Sequence, residues 1–593
     1  MSTDEADTLP RKKHSVLWWV AGFFVLLLLL FFFQLFGPNP PIIVSPQTTY
    51  ITAPLGADGL PDYEQHWLES SRAGVTPENN AVVLLWQALF PGEVDPQFHA
   101  AVAMEFGLEQ IPFEEESLQP LYKSENRRKV AAWLQRQGRL RLAENRPDGE
   151  SVNEVLAMAP WPLSAEANEL LDVVDSVIDQ AQSRPWTSEQ IPPLAEWVAA
   201  NQEPLDLIVE ASRRPRYYAP SPTLLDKDRD MLIAILLPHA QSVREAARSL
   251  PARAMWHLGE GRPDEAWQDL LAIHRLSHLI TQGHTLVEQL VAIAIRGIAC
   301  EATMTLLDHG DLTLEQARQV QRDLAALPNF AVMARSLDQG ERLCSLDTFI
   351  HVGTGGGDVF GALSGQDDPV GNAVFNAISV DWNLVLRETN RWFDRLAAAA
   401  RLPDRQARST ALAQIDTDLQ QLHIDLGGAA PWLASVVSRH QRSELVSTMM
   451  LSLMLPAVTA ATNAEDRANT SLELTRLAAA LAVFRAEHGA YPEKLADLVP
   501  GVLERLPVDL YSGKPPVYKR DGEGYLLYSA GENGRDDGGS NERERILKGQ
   551  PLDDLGQTKA DVMMPQIPTG ADDISIRVPR PAFELPNFQA APE

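Results

Sequence analysis

Two cysteines in 593 residues are too few for a disulfide framework. Cys300 and Cys344 stand apart, with no Cys-x-x-Cys and no nearby His-Cys spacing, so thiolate metal sites are excluded as well. In an oxidising compartment the pair can bridge, but Cys300 closes the apolar run LVAIAIRGIAC, the setting of an inert, buried thiol. Basic charge is also scarce: 51 Lys and Arg stand against 80 Asp and Glu, a net charge of −29. That balance excludes a nucleic-acid binder, which needs a basic face to replace phosphate counterions. There is no P-loop, dinucleotide fingerprint or Gly-x-Ser-x-Gly elbow. The glycines of IHVGTGGGDVFGALSGQDDP (residues 350–369) follow no strand and precede no Lys-Ser or Lys-Thr, so they read as a surface loop.

What is present starts at the N-terminus. From Val16 to Phe36 there is no charge, and Gln34 is the only strongly polar side chain. As a helix this run rises about 30 Å, the thickness of a bilayer's hydrocarbon core. Arg11, Lys12 and Lys13 precede it, which predicts a cytoplasmic N-terminus and export of the remainder. Trp18 and Trp19 suit the inner interface, and Gly37-Pro38 ends the helix. A cleaved signal peptide is the alternative; its apolar region would be shorter and followed by a small-x-small site, whereas the exit here reads Gln34-Leu35-Phe36-Gly37-Pro38. The expected placement is therefore a single-pass anchor in the inner, cytoplasmic membrane, with the bulk of the chain extracytoplasmic.

The length predicts more than one domain. The expected division is a cytoplasmic tail (1–14), a transmembrane helix (15–36), an extended Pro-rich linker (37–60) and an all-α domain (61–440), then a C-terminal α+β module (441–555) and an extended tail (556–593). Within the α domain, VTPENNAVVLLWQALF offers Thr76 as N-cap and Pro77 as first helical residue. The stretch ARAMWHLGEGRPDEAWQDLLAIHRLSHLI resembles one tetratricopeptide unit, with Leu258-Gly259 closing a helix and Ala266, Leu270 and Leu271 on the next. No second copy follows at that period, so it is read as a helical hairpin.

Near the C-terminus, Leu474, Leu477, Leu481 and Phe484 form one apolar stripe on a long helix that Gly489 stops. Val517–Arg520 and Tyr525–Tyr528 are β-prone runs joined by Asp521-Gly522-Glu523-Gly524, a hairpin by its turn chemistry. A two-stranded ribbon cannot bury its face alone, so the long helix should pack on it.

These residues resemble the type IV pilin-like family, in particular the major pseudopilins of type II secretion. The likeness runs through Phe484-x4-Gly489-x-Tyr491-Pro492, Leu506-Pro507-x-Asp509 and Gly524-Tyr525-x2-Tyr528-Ser529-x-Gly531-x2-Gly534, and covers less than a fifth of the chain. It departs at the N-terminus: Gly22-Phe23 lies inside the apolar run with Leu27 where a glutamate belongs, so processing and polymerisation as a pilin are not expected. The uncharged stretch 445–462, which would be a pilin's membrane half, is read as buried against the preceding helices. The resemblance implies a calcium loop after the last strand. Asn533 replaces the usual aspartate, and Asn533, Asp536, Asp537 and Glu542 are the implied oxygen ligands. The alternative is a solvated turn whose acids face water.

Function is read at two levels. The first is a membrane-anchored scaffold or interaction protein with envelope or secretion proteins as its expected partners, since in layout the chain resembles large bacterial envelope proteins. The second is a hydrolase-type enzyme with its site around His257, His274, His278 and His284, or in the 350–369 loop. His274 and His278 share a helix face at i, i+4 but lack the general-base glutamate of His-Glu-x-x-His.

Overall fold

The structure is a computed structural model that describes residues 14–89, 96–108, 117–141, 165–220, 232, 238–355, 377–426, 428–454, 458–541, 570–586 and 588–589. Helices dominate it. They run α1 (His14–Phe36), α2 (Tyr63–Arg72), α3 (Ala81–Leu89), α4 (Pro96–Glu105) and α5 (Ser124–Arg136), then α6 (Ala165–Ser183), α7 (Pro192–Ala200) and α8 (Gln202–Ala211). Next come α9 (Pro238–Gly259), α10 (Pro263–Leu279), α11 (Leu286–His309), α12 (Leu314–Ala326) and α13 (Arg342–Gly353). The last are α14 (Trp382–Ala400), α15 (Arg405–Leu426), α16 (Ala429–Val437), α17 (Arg439–Met454) and the long α18 (Val458–His488).

Two described helices are long and apolar enough to cross a membrane, and burial separates them. α1 is 0% buried over Trp18–Phe36, whereas Leu286–His309 is 67% buried and is a core helix of the body. Helix starts follow their caps. Thr285 and Glu288 form a reciprocal capping box at α11, and Thr313 and Gln316 do the same at α12. At α3 the start differs from expectation. Thr76 closes a turn with Asn79, and the helix opens at Ala81, because buried Asn80 accepts from the Val82 and Tyr218 amides.

The 258–271 hairpin is as read: α9 ends at Gly259 and α10 opens with Pro263. Gly259 lies so close to the Trp186 backbone that an added Cβ would overlap its carbonyl. Gly259→Ala is expected to lower stability by about 1–3 kcal/mol. Gly297→Ala, in α11 with open space around it, should be neutral or slightly stabilising. Parallel thermal melts check both.

Residues 37–60, expected to be an extended linker, instead dock on the body. The Ile43 amide donates to Asn383 Oδ1 at 2.8 Å, Asn383 Nδ2 donates to Pro41 O, and Asn390 Nδ2 donates to Thr48 O. Thr48 and Thr49 are buried, and Tyr63 Oη donates to Thr49 O at 2.7 Å. The irregular backbone thus finds its partners on α2 and α14.

Short β1 (Leu140–Arg141) pairs in parallel with β5 (Phe588–Gln589), and a three-stranded antiparallel sheet lies near the C-terminus, with β2 (Val517–Asp521), β3 (Gly524–Ser529) and β4 (Ile574–Val578) in that order. The hairpin turns at Gly522-Glu523, where Gly522 has φ +54°. The third strand comes from the stretch expected to be an extended tail, and its Ile574, Ile576 and Val578 are buried. One face of α18 packs on β3 and β4, and another on α11 and α12. Leu474, Leu477 and Leu481 are buried and Phe484 is partly so, within one apolar core shared by the sheet and the helices from α3 to α12. Smaller cores lie beneath α2, α13, α14 and α17, and between α14 and α15. The described part of 445–462 packs inward, with Leu445, Val446, Met450, Leu451 and Val458 buried. Cys300 and Cys344 are both buried free thiols.

Candidate metal centre

β3 and β4 are antiparallel, and Ser529 pairs with Ile574. The residues just after β3 and just before β4 therefore meet at one end of the sheet. There Asp537, Asp572 and Asp573 each bring a carboxylate oxygen within 4.8 Å of the others. Backbone amides fix one oxygen of each. Asp572 Oδ2 accepts from the Asn533 amide at 3.1 Å, and Asp573 Oδ2 accepts from Asp537 and Gly539 at 3.0 and 2.7 Å. Asp537 Oδ2 accepts from the Asp572 amide at 3.2 Å and from Asn533 Nδ2 at 2.8 Å.

The remaining oxygens matter most. Asp572 Oδ1 and Asp573 Oδ1 are buried with no hydrogen-bond partner, and the two residues are 2% and 0% exposed. Burial pushes both carboxyls above the usual carboxylate range, and the neighbouring Asp537 adds to the push. Buried anionic oxygens without donors are costly unless a cation meets them. Hard carboxylate oxygens on a backbone-fixed loop suit Ca²⁺ or Mg²⁺ rather than a softer metal.

Of the implied ligands among the described residues, Asn533, Asp536 and Asp537, only Asp537 brings a carboxylate into this cluster. Asn533 is a brace: its Nδ2 donates to Asp537 and Gly570 O, and its Oδ1 accepts from the Arg535 amide. Asp536 faces solvent and accepts from Tyr528 Oη at 2.8 Å. Glu542 lies outside the described residues. Asp572 and Asp573 were missed because they sit beyond a long intervening stretch, and only the alternation of ISIRV after them marks where they return.

The histidines do not form a second centre; among the described residues the acidic cluster contains none. His274 is buried against Thr303 Oγ1 at 3.0 Å, and burial holds it well below the ordinary histidine value. His257 stands 3.9 Å from Asp269, and burial lowers it to about 4, so it is neutral. His284 Nε2 meets Ser71 Oγ at 2.6 Å while its ring stacks on Trp67. Its Nδ1 is buried without a partner, so the serine–histidine contact lacks the carboxylate that would orient a base. A cavity of about 580 Å³ runs between Phe330, Leu402, Leu474 and Leu510. Its acids are engaged structurally: Glu465 accepts from the Val332 amide at 2.8 Å, and Arg408 holds Asp466 at 2.6 and 2.8 Å. Most of the 350–369 loop lies outside the described residues.

Compared with protein-family models, curated proteins and solved structures, the chain matches none.

Proposed function

We propose that the chain is a single-pass, membrane-anchored extracytoplasmic protein that serves as a scaffold or interaction partner in the envelope. On this reading its C-terminal helix and sheet form a pseudopilin-like module that holds calcium at Asp537, Asp572 and Asp573. The observation that carries the reading is α1, an apolar helix whose side chains from Trp18 to Leu30 are all exposed. So large a greasy surface left in water favours a lipid environment. Arg11, Lys12 and Lys13 before it support a cytoplasmic N-terminus. The calcium assignment is supported by the two buried, donorless aspartate oxygens, and the pilin-like assignment by the motif residues on α18, β2 and β3. The protein supplies rigid oxygen ligands there; the cation would cross-link the β3 and β4 ends and fix the surface around them.

Protease added to intact spheroplasts is expected to remove nearly all of the chain. Complete protection there, with digestion only after lysis, would overturn the topology. Affinity capture from solubilised membranes, run once with calcium and once with chelator, tests the second half. Partners whose recovery falls on chelation support a calcium-ordered interaction surface, and an identical set in both runs removes it.

A further inference from the structure

α1 does not leave the body through a free linker. It ends against it. Arg442, on α17 and buried, donates from Nη2 to Gln34 O near the end of α1, from Nη1 to Ser435 O on α16, and from Nε to Ser379 O at 2.8 Å. The Ser379 amide donates to Leu35 O at 2.8 Å, and the Arg439 guanidinium lies 6.0 Å from the centre of the Phe33 ring. Phe31 and Leu35 are half-buried, unlike the exposed turns before them. α16 touches α1 here.

α16 itself reads AAPWLASVV and carries no charge. Ser435 is buried, while Trp432, Leu433, Val436 and Val437 are exposed, Leu433 by 69%. Positions i, i+1, i+4 and i+5 share one side of a helix, so these four form a single apolar face. Ile424, near the end of α15, is 67% exposed as well. A contiguous apolar face of this kind marks an interaction surface rather than scattered surface residues.

We propose that the exposed face of α16, with the end of α15, lies in the outer interfacial layer of the bilayer that α1 crosses. This rests on the reading of α1 as an anchor. The apolar span Trp18–Phe36 rises about 28 Å, which brings Phe33 to Phe36 to the outer edge of the hydrocarbon layer. α16 is held at that level, so its face continues the lipid-facing surface of α1. The composition fits an interfacial element. A tryptophan sits on the apolar face, and Arg439 and His440 follow at headgroup depth. The anchor then fixes orientation as well as attachment, since the end of α1 and the face of α16, held together through Arg442, meet the bilayer at two places.

Site-directed spin labelling of the full chain in liposomes tests this. Cys300 and Cys344 are buried, and the unmodified chain serves as the labelling blank. Labels are placed at Leu433→Cys, at Leu27→Cys within α1, and at Val508→Cys, which is 68% exposed. Val508 lines the same cavity as Leu402 and Arg408, near the start of α15, about 28 Å along that helix from Ile424. The expected result is a relaxation ratio, oxygen over nickel chelate, several-fold higher at positions 433 and 27 than at 508, with 433 the shallower of the two. A nickel-accessible 433 beside an oxygen-accessible 27 overturns the inference and leaves the anchor standing. A nickel-accessible 27 overturns the anchor and the inference together. A label at 433 shielded from both reagents means that protein covers the face, and overturns the lipid assignment too.

Discussion

Asp269→Ala is expected to destabilise the chain by about 3–5 kcal/mol, more than any single apolar truncation on the surface. Asp269 and Arg253 are 2% and 5% exposed and face one another between α10 and α9. Arg253 Nε donates to Asp269 Oδ2 at 2.9 Å and Nη2 to Oδ1 at 2.7 Å, a bidentate fork, while Nη1 reaches Asp206 Oδ1 at 2.7 Å. Removing the carboxylate strands a guanidinium in a site that cannot hydrate it, and the loss is chiefly that penalty. Asp206 is exposed, so Asp206→Ala should cost no more than about 1 kcal/mol. Replacing both partners, Arg253→Met with Asp269→Leu, should recover most of the stability, since it removes the charge along with its counterion. For a cooperative unit of about 200 residues, each kcal/mol moves Tm by about 2–4 °C, which puts the expected drop for Asp269→Ala at about 6–20 °C. A drop no larger than that of Asp206→Ala would mean that water reaches the pair and that the α9–α10 hairpin opens readily around it.

That hairpin was readable from Leu258-Gly259 and the apolar positions after Pro263, because helix caps and periodicity are local. The same holds for α18 and for the β2–β3 turn. The docking of residues 37–60 was not readable. It depends on Asn383 and Asn390, side chains more than three hundred positions away whose partners are backbone groups, and nothing periodic marks such a contact. Proline density there pointed to extension, whereas the backbone turns at Ser45–Thr49 and again at Gly56–Leu60, and that density is silent about what the segment lies against. β4 is intermediate. Its Ile574, Ile576 and Val578 alternate as a one-sided strand should, yet a single strand cannot be paired from sequence until its partner's free edge is known. The acidic cluster inherits that difficulty. Asp537 was nameable from the loop after β3, whereas Asp572 and Asp573 join it only through the register that sets Ser529 opposite Ile574.

The acidic centre should make stability depend on calcium and pH together. Asp572 and Asp573 titrate above their unfolded value of about 3.9, chiefly through burial. A raised carboxyl value means that the native state holds protons more tightly than the unfolded chain. In chelator, the contribution of these groups is therefore fully present below about pH 4 and is lost as pH rises through their folded values. Calcium needs the same carboxylates charged, so its stabilisation should grow over that window and be largest at neutral pH. With the affinity of extracellular calcium modules, a dissociation constant of about 0.1–1 mM, ten millimolar ion supplies about 1.4–2.7 kcal/mol. The wild-type chain at pH 7.5 should thus melt a few degrees higher in calcium than in chelator, and the gap should close toward pH 4. In the double variant Asp572→Asn with Asp573→Asn, the amide oxygens can still accept from the Asn533, Asp537 and Gly539 amides, but the paired charge is gone. This variant should show no calcium response, and in chelator at pH 7.5 it should melt at or above the wild type. A calcium shift that survives the double substitution would move the ion elsewhere, and a wild type indifferent to chelator would leave the three aspartates as a purely structural, partly protonated cluster.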